Sequence, residues 1–426
     1  MSQPRRGDRF VASAAASRLV SARKSNPGLP PWARFCCRFA AWATRYSWAA
    51  RRGILEANDY RSSGPAIVQG IFTLLESIRS ARHIRTFRPK PRSTRERVAV
   101  FCPCKGTDPE FEKNIRSILD QDYSNYEAHF IVESSNDPAY TVLRSLGVTN
   151  IVVAGRATDR GQKVHNLAHG VTHADATAGI YVFCDADARF PPDWLSKLTA
   201  PVDAANITTG YRWYAARRAH LSTLMRSGWN ASSLGLLGNH DRNFAWGGSM
   251  AMHRATFERL NILDAWRGAL SDDYAITNAA SRSGTKIVFV PECLIPTYGE
   301  CTWGELFEFT TRQIVITRVY HRWLWRLAFA GYVIFDGAIL VLPFTHAALW
   351  MVIYSLSVAN NWVRYQAVKT VLPPLARPDH GWFYILCSPL VALLYLYNMV
   401  CSALSTEIVW RQVHYRLISP NETRVF

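Results

Sequence analysis

The chain has nine cysteines but no CxxC pair, and none stands at a zinc-type spacing from a histidine. Cys102-Pro-Cys104 comes nearest to a ligand pair, and no second pair completes it. A disulfide-framed module and a zinc ribbon are thereby excluded, which leaves the thiols as small hydrophobes in a reducing compartment. The first thirty residues lack an apolar core segment, which argues against a secretory signal. Their Arg, Ser and Ala content, with Asp8 alone on the acidic side, suits a transit peptide or a disordered basic tail, and the tail is the simpler reading. Acidic residues stay scarce through position 97: 5 Asp+Glu stand against 20 Lys+Arg, so +15 of the total charge of +17 lies in this arm. Such an arm suits an anionic surface. No base-recognition motif accompanies it, so nucleic acid is not expected as a partner and an anionic membrane surface is.

What is present is enough to fold. With 49% hydrophobic and 19% charged residues, 426 residues will bury a core, as one large domain with extra elements or as two domains. From Trp32 to Arg52, aromatics and alanines alternate with Arg34, Arg38 and Arg45 at helical spacings. That stretch is too charged to span a bilayer and fits an interfacial amphipathic helix or a helix packed on the domain. Gly64 to Ile78 is a second apolar helix, short for a span, and Arg79 to Arg97 reads as a linker. From Val98 strands and helices alternate, the pattern of an α/β domain with a mostly parallel sheet. "RVAVFC", "YEAHFIVES", "NIVVAG" and "GIYVFCDAD" read as strands, with "PEFEKNIRSILDQ", "PAYTVLRSLG" and "GQKVHNLAHGVTHA" as the helices between them. The last third differs in kind. Leu327 to Phe344 is apolar except for Asp336, Ala347 to Asn360 is apolar, and Trp382 to Leu404 carries no charge over a length matching a bilayer core. Pro343, Thr345 and His346 interrupt the first two runs, so two to three transmembrane helices are expected. Cations flank every segment, which leaves the topology open.

Two pairs of acidic residues stand at places suited to chemistry. Asp185 and Asp187 stand at the end of an apolar strand, where open α/β sheets bind their ligands. Residues two apart in extended chain share a face, so both carboxylates aim at one spot. Hard divalent cations take such oxygens and bring phosphates with them. Gly247 and Gly248 in "WGGSMAMHR" suit a tight turn or a close approach to a ligand. Asp272 and Asp273 in "SDDY" open a helix, either as a cap and dipole partner or as a general base with an acidic neighbour.

In this order, a basic loop, an acidic strand end, DxD, GG-S, paired acids and an Arg-rich segment before apolar helices resemble the family 2 inverting glycosyltransferases of the GT-A fold. Within them the chain is most similar to the ceramide glucosyltransferase branch. The likeness is carried by Cys104 to Ala139, "GQKVHNL", "FCDADAR", "GGSM", "SDDY" and "VWRQVHYRL" (Val409 to Leu417), over roughly residues 98 to 418. The resemblance implies a Rossmann-like GT-A domain at 98–326, between the basic arm at 1–97 and a membrane region with a basic tail at 327–426. It also implies a multi-pass membrane enzyme whose catalytic domain faces the cytoplasm. Lys105, Gly106, Lys163 and Asn166 then line the nucleotide-sugar pocket with Gly247 and Gly248. Glu133 stands in for an acidic position that falls on Ser134. Asp185 and Asp187 hold Mn²⁺ or Mg²⁺ on the diphosphate, Asp273 is the base and Asp272 its acidic neighbour. Of the branch's (Q/R)xxRW motif only Arg312 and Gln313 are present, with Val315 and Ile316 in the other places, so Arg318 is expected to supply the missing cation.

The reaction so implied moves a hexose, by default glucose, from a UDP-sugar to the hydroxyl of a ceramide-like membrane lipid with inversion. Diacylglycerol, a hopanoid and a polyprenyl phosphate stay open as acceptors. The alternatives are a processive polysaccharide synthase and a non-catalytic membrane scaffold.

Overall fold

The computed structural model describes residues 64–89, 96–108, 110–372 and 380–426. The helix expected at Trp32 to Arg52 lies outside them. In chain order the elements open with α1 (Gly64–Thr86), β1 (Val98–Pro103), α2 (Phe111–Leu119), β2 (Tyr126–Val132), α3 (Pro138–Ser145), β3 (Ile151–Val153), α4 (Gln162–Val171) and β4 (Ile180–Cys184). There follow α5 (Trp194–Thr199), β5 (Asn206–Ala215), α6 (Leu221–Leu234), β6 (Ser249–His253), α7 (Arg254–Arg259), α8 (Ile262–Ala265), α9 (Asp272–Ser283) and β7 (Lys286–Tyr298). The C-terminal part comprises α10 (Trp303–Tyr320), α11 (Arg322–Thr345), α12 (Ala347–Val368), α13 (Gly381–Leu386), α14 (Ser388–Leu404), β8 (Glu407–Trp410), β9 (Val413–Ser419) and β10 (Glu422–Val425).

Strands β1 to β7 form one sheet in the order β3-β2-β1-β4-β6-β5-β7. β1 runs parallel to both β2 and β4, β2 to β3, and β5 to β7; β6 alone runs against its neighbours. The sheet is therefore the mostly parallel α/β sheet that the alternating sequence pattern calls for. Its apolar strands bury both faces, and the two-residue period sorts them. Val98 and Val100 join one core with Phe130 and Trp194, while Ala99 and Phe101 join the other with Phe183 and Trp266. On α2 the residues Phe111, Asn114, Ile115 and Ile118 are buried at spacings of three and four, the stripe that docks a helix on such a face. Because β1 and β4 are parallel neighbours in register, Val98 facing Ile180, their carboxyl ends lie side by side. The loop after β1 and the Asp185–Asp187 pair after β4 are thereby brought together.

The chain outside this domain departs from the expectations. The supposed linker after Ile78 is helical as far as Thr86, and α1 packs along α12. Two to three spans were expected at the C-terminus; among the described residues one helix, Arg322–Thr345, is long and apolar enough to cross a membrane. The uncharged run Trp382 to Leu404 is divided at Cys387 into α13 and the 17-residue α14, just before Pro389, which cannot donate to a preceding turn. The basic tail folds as a three-stranded antiparallel sheet, β10-β9-β8. Arg411 and Gln412 both have positive φ, 49° and 67°, as a two-residue hairpin turn requires.

Polarity in these helices is inverted. On α11 Asp336 is 1% exposed while Phe344 is 89% exposed, and on α14 Asn398 is fully buried while Leu404 is 83% exposed. On α1 Ser77 and Ser80 are buried while Ile71 and Leu75 are open. Polar groups inside and large apolar groups outside are the reverse of a water-soluble helix packing.

Candidate active site

A single cavity of about 2590 Å³ runs from the strand ends into the space between the helices. At the sheet end it is lined by Lys105, Lys163, Asp185, Asp187, Asp272 and Asp273. The two acidic pairs foreseen in the sequence thus share one chamber, and Lys163 links them: its ammonium lies 2.8 Å from Asp185 and 3.2 Å from Asp272. Burial alone would lower that ammonium's pKa, but the carboxylates of Asp185, Asp272 and Asp273 outweigh it and hold the group well above an ordinary lysine.

Arg212 on β5 was not foreseen. Its Nη2 donates to Asp185 Oδ2 and to Asp187 Oδ1, each at 2.7 Å, and its Nη1 donates to Asp187 Oδ2 at 3.0 Å. With Lys163 on Asp185 Oδ1, all four oxygens of the pair have a cationic donor. The guanidinium also lies 5.4 Å from the Tyr214 ring and 5.3 Å from that of Trp246. Burial pushes both carboxyls up. At Asp185 the cations Lys163 and Arg212 win and its pKa is lowered, whereas at Asp187 burial and the charges of Asp185 and Asp108 win over Arg212 and it stays raised.

Gly247 and Gly248 form the floor beneath these acids. A Cβ on Gly247 would stand 2.2 Å from Asp272 Oδ2, and one on Gly248 would stand 2.6 Å from Asp185 Oδ2, so any side chain would push a carboxylate out of place. Ser271 caps α9, and Asp273 sits in its first turn. Asp273 accepts from the Ser271 hydroxyl, from Tyr274 N at 2.8 Å and from Gly247 N at 3.2 Å, and it is partly open to the cavity. Asp272 is buried, with Oδ2 lacking a partner. Desolvation, with the charges of Asp273 and Asp185, pushes its pKa up to about 6 against the pull of Lys163.

The remaining foreseen residues divide. Lys105 pairs with Glu133, and Gly106 has φ +63, a conformation that suits glycine; its N–H donates to Asp137 Oδ1 at 2.8 Å. Asn166 lines the cavity and accepts from Gln162 Nε2 at 2.8 Å. Arg312 and Gln313 line it as well, and the Arg312 guanidinium lies 5.3 Å from the Trp410 ring. Glu133, Gly247, Gly248 and Arg318 are not among the lining residues. Arg318 turns to the Ser402 carbonyl on α14 and stacks over Trp325 instead. The terminal "VWRQVHYRL" supplies the roof: Trp410 and Arg411 line the cavity, and Arg411 makes a two-pronged pair with Asp108 at 3.0 and 2.7 Å. Arg212 has a signal in the sequence, a lone charge inside the buried strand "NITTGYRWYA", but its partners are visible only in three dimensions.

Paired carboxylates and clamped cations at the ends of a mostly parallel sheet suit the handling of a nucleotide-linked sugar, and the family match places the chain among the glycosyltransferases. The chain belongs to glycosyl transferase family 21, whose model matches residues 65–423. A ceramide glucosyltransferase of Komagataella phaffii is 45% identical over 51 residues, which is 12% of this chain and 10% of that protein. Among solved structures, a mannosyltransferase from Pyrobaculum calidifontis in complex with GDP-Man and Mn²⁺ is 19% identical, covering 80% of this chain and 98% of that one with a TM-score of 0.42. Glucosyl-3-phosphoglycerate synthase from Mycobacterium tuberculosis, in complex with Mn²⁺ and UDP-glucose, is 15% identical over 53% of this chain and 79% of that one, with a TM-score of 0.36.

Proposed function

We propose that the protein is a membrane-bound inverting glycosyltransferase that moves a hexose from a UDP-sugar to the hydroxyl of a lipid, ceramide-like in its presentation. One observation carries the reading: the cavity that holds the DxD and the acidic pair continues between helices whose polar residues face inward and whose apolar residues face outward. A sugar nucleotide is met by charge at one end, and an alkyl chain by apolar walls at the other. Helices with such outward faces are at home in hydrocarbon, so we assign α1, α11, α12 and α14 to the membrane or its interface. We assign the catalytic domain to the cytoplasmic side.

The donor is held by Lys105 and Lys163 with Asn166, beneath the Trp410–Arg411 roof. Asp273 has the access that Asp272 lacks, so Asp273 takes the proton of the acceptor hydroxyl as oxygen attacks the sugar C1 from the face opposite the leaving diphosphate. Asp272 fixes Lys163 against Asp185, and Arg312 meets the negative charge that develops on the departing diphosphate. The donor set suits Mn²⁺ or Mg²⁺: Asp185 and Asp187 present hard oxygens from one strand end. Among the described residues no three His, Cys, Asp or Glu side chains converge on a metal, so the protein offers two carboxylates and donor phosphate or water completes the shell. Bound there, such a cation would supply charge neutralisation at the diphosphate, at the carboxylates that Arg212 now holds. Lipid extracts from cells carrying the wild-type protein and the Asp185→Ala protein, compared by mass spectrometry, test the reading. A glycolipid present only with the wild type is the expected result, and identical extracts would refute it.

A further inference from the structure

Four polar residues of α12, Ser357, Asn360, Asn361 and Arg364, line the cavity at spacings that keep them on one side of the helix. Met351, Val352 and Trp362 are exposed elsewhere on it. Arg364 cannot shed its charge, and the protein sets little against it. Its Nη2 donates to Ser77 Oγ at 3.0 Å, its Nε is buried without a partner, and among the described residues no carboxylate pairs with it. Asp336 on the neighbouring α11 does not answer it, since both of its oxygens are themselves unpartnered. Gly235, the C-cap of α6, leaves room for the guanidinium: a Cβ there would stand 2.6 Å from Nη2. The carbonyl end of α6 offsets part of the charge. Tyr332 and Tyr395, stacked with centroids 4.7 Å apart, line the same cavity. A cation facing a chamber between apolar-surfaced helices, with donors to spare, is poised for a ligand that brings the missing negative charge.

We propose that Arg364, with Asn361 beside it, binds the oxyanion of an anionic membrane lipid, a phosphate or carboxylate headgroup that sits beside the acceptor. The inference rests on the reading of the helical part of the cavity as the acceptor chamber. It adds to the hydroxyl site at Asp273 a second polar site in the same cavity, for an anion held at Arg364. The planar fork of a guanidinium matches the paired oxygens of either anion.

The test uses the full-length protein in neutral maltoside micelles without donor, with hexadecyl phosphate, hexadecanol and inorganic phosphate as probes and tryptophan fluorescence and thermal shift as readouts. Hexadecyl phosphate is expected to bind at least about tenfold more tightly than hexadecanol, in line with one charge-assisted contact. Arg364→Gln should abolish that preference and Arg364→Lys should keep part of it. Equal binding of phosphate and alcohol by the wild-type protein would overturn the proposal, whether or not Arg364→Gln folds. So would a preference that survives in folded Arg364→Gln. Inorganic phosphate competing as well as the alkyl phosphate would also overturn it, because the site would then take a free anion. Asp273→Asn separates this inference from the function above: it should bind hexadecyl phosphate as the wild type does while losing transfer. A wild-type protein that prefers the alkyl phosphate yet glycosylates no lipid would leave the anion site standing and remove the proposed function.

Discussion

The two ends of the cavity treat charge in opposite ways. At the strand ends every oxygen of Asp185 and Asp187 meets Lys163 or Arg212, and Arg411 answers Asp108. Among the helices, Asp336 and Arg364 stand without counter-ions among the described residues, while leucine, valine and phenylalanine cover the outside. Charges matched at close range suit a site that exchanges one set of cations for a polar donor. Unmatched charges behind an apolar exterior suit a site whose ligand arrives through lipid. On the proposed reading, surface composition and charge pairing mark a boundary between two solvents that chain length alone does not.

The largest break in that comparison comes from the matched end. Asp273→Asn should lower hexose transfer on the order of 10²–10⁴-fold, followed with radiolabelled UDP-sugar, with donor binding kept. Arg212→Ala should cost about 1 to 3 kcal/mol of metal-free stability, because it strands the half-buried carboxylate of Asp187 and leaves Asp185 to Lys163 alone, and Mn²⁺ should restore much of it. Electron paramagnetic resonance titration should show Mn²⁺ binding more tightly to that variant than to the wild type; weaker binding would show that Arg212 supports the cation. On the outside of α11, Leu340→Arg should cost about 2.5 kcal/mol in a bilayer, whereas Val153→Arg at the exposed edge of the sheet should stay within about 0.5 kcal/mol. Equal costs in lipid-reconstituted unfolding would erase the distinction between the two surfaces.

A further effect is one of pH. The carboxyl of Asp272 is raised by burial from 3.8 to about 6, so the folded state holds its proton more tightly than the unfolded chain does. Its contribution favours folding below pH 3.8 and is lost as pH rises through 6. Asp272→Asn should therefore gain about 1 kcal/mol more at pH 7.5 than at pH 5, read from melting curves at the two pH values.

Much of this was legible in the chain. Four strands and three helices between Val98 and Asp187 lie where alternation and turn residues place them, because each strand is a short apolar run, buried on both faces at β1 and β4 in the middle of the sheet. The acidic pairs were visible as charges at element ends, and parallel topology brings them together. Arg212 was not, because strand periodicity tells which face a residue takes and not which carboxylate lies across the sheet. The inward face of α12 was missed because the apolar run ends at Asn360, whereas the helix continues to Val368 and turns its polar residues to the cavity. Arg318, expected beside the diphosphate, is one turn too far along α10 and meets α14 instead.

The central claim is that one chamber takes a sugar nucleotide from water and an alkyl alcohol from the membrane. Photolabelling of the bilayer-reconstituted protein with a long-chain diazirine alcohol, mapped by peptide mass spectrometry, tests it most directly. Adducts on the inward residues Tyr332, Asn361 and Tyr395, with hexose transfer blocked in proportion, are the expected result. Adducts confined to outward residues such as Leu340 and Trp362, with transfer undiminished, would contradict it.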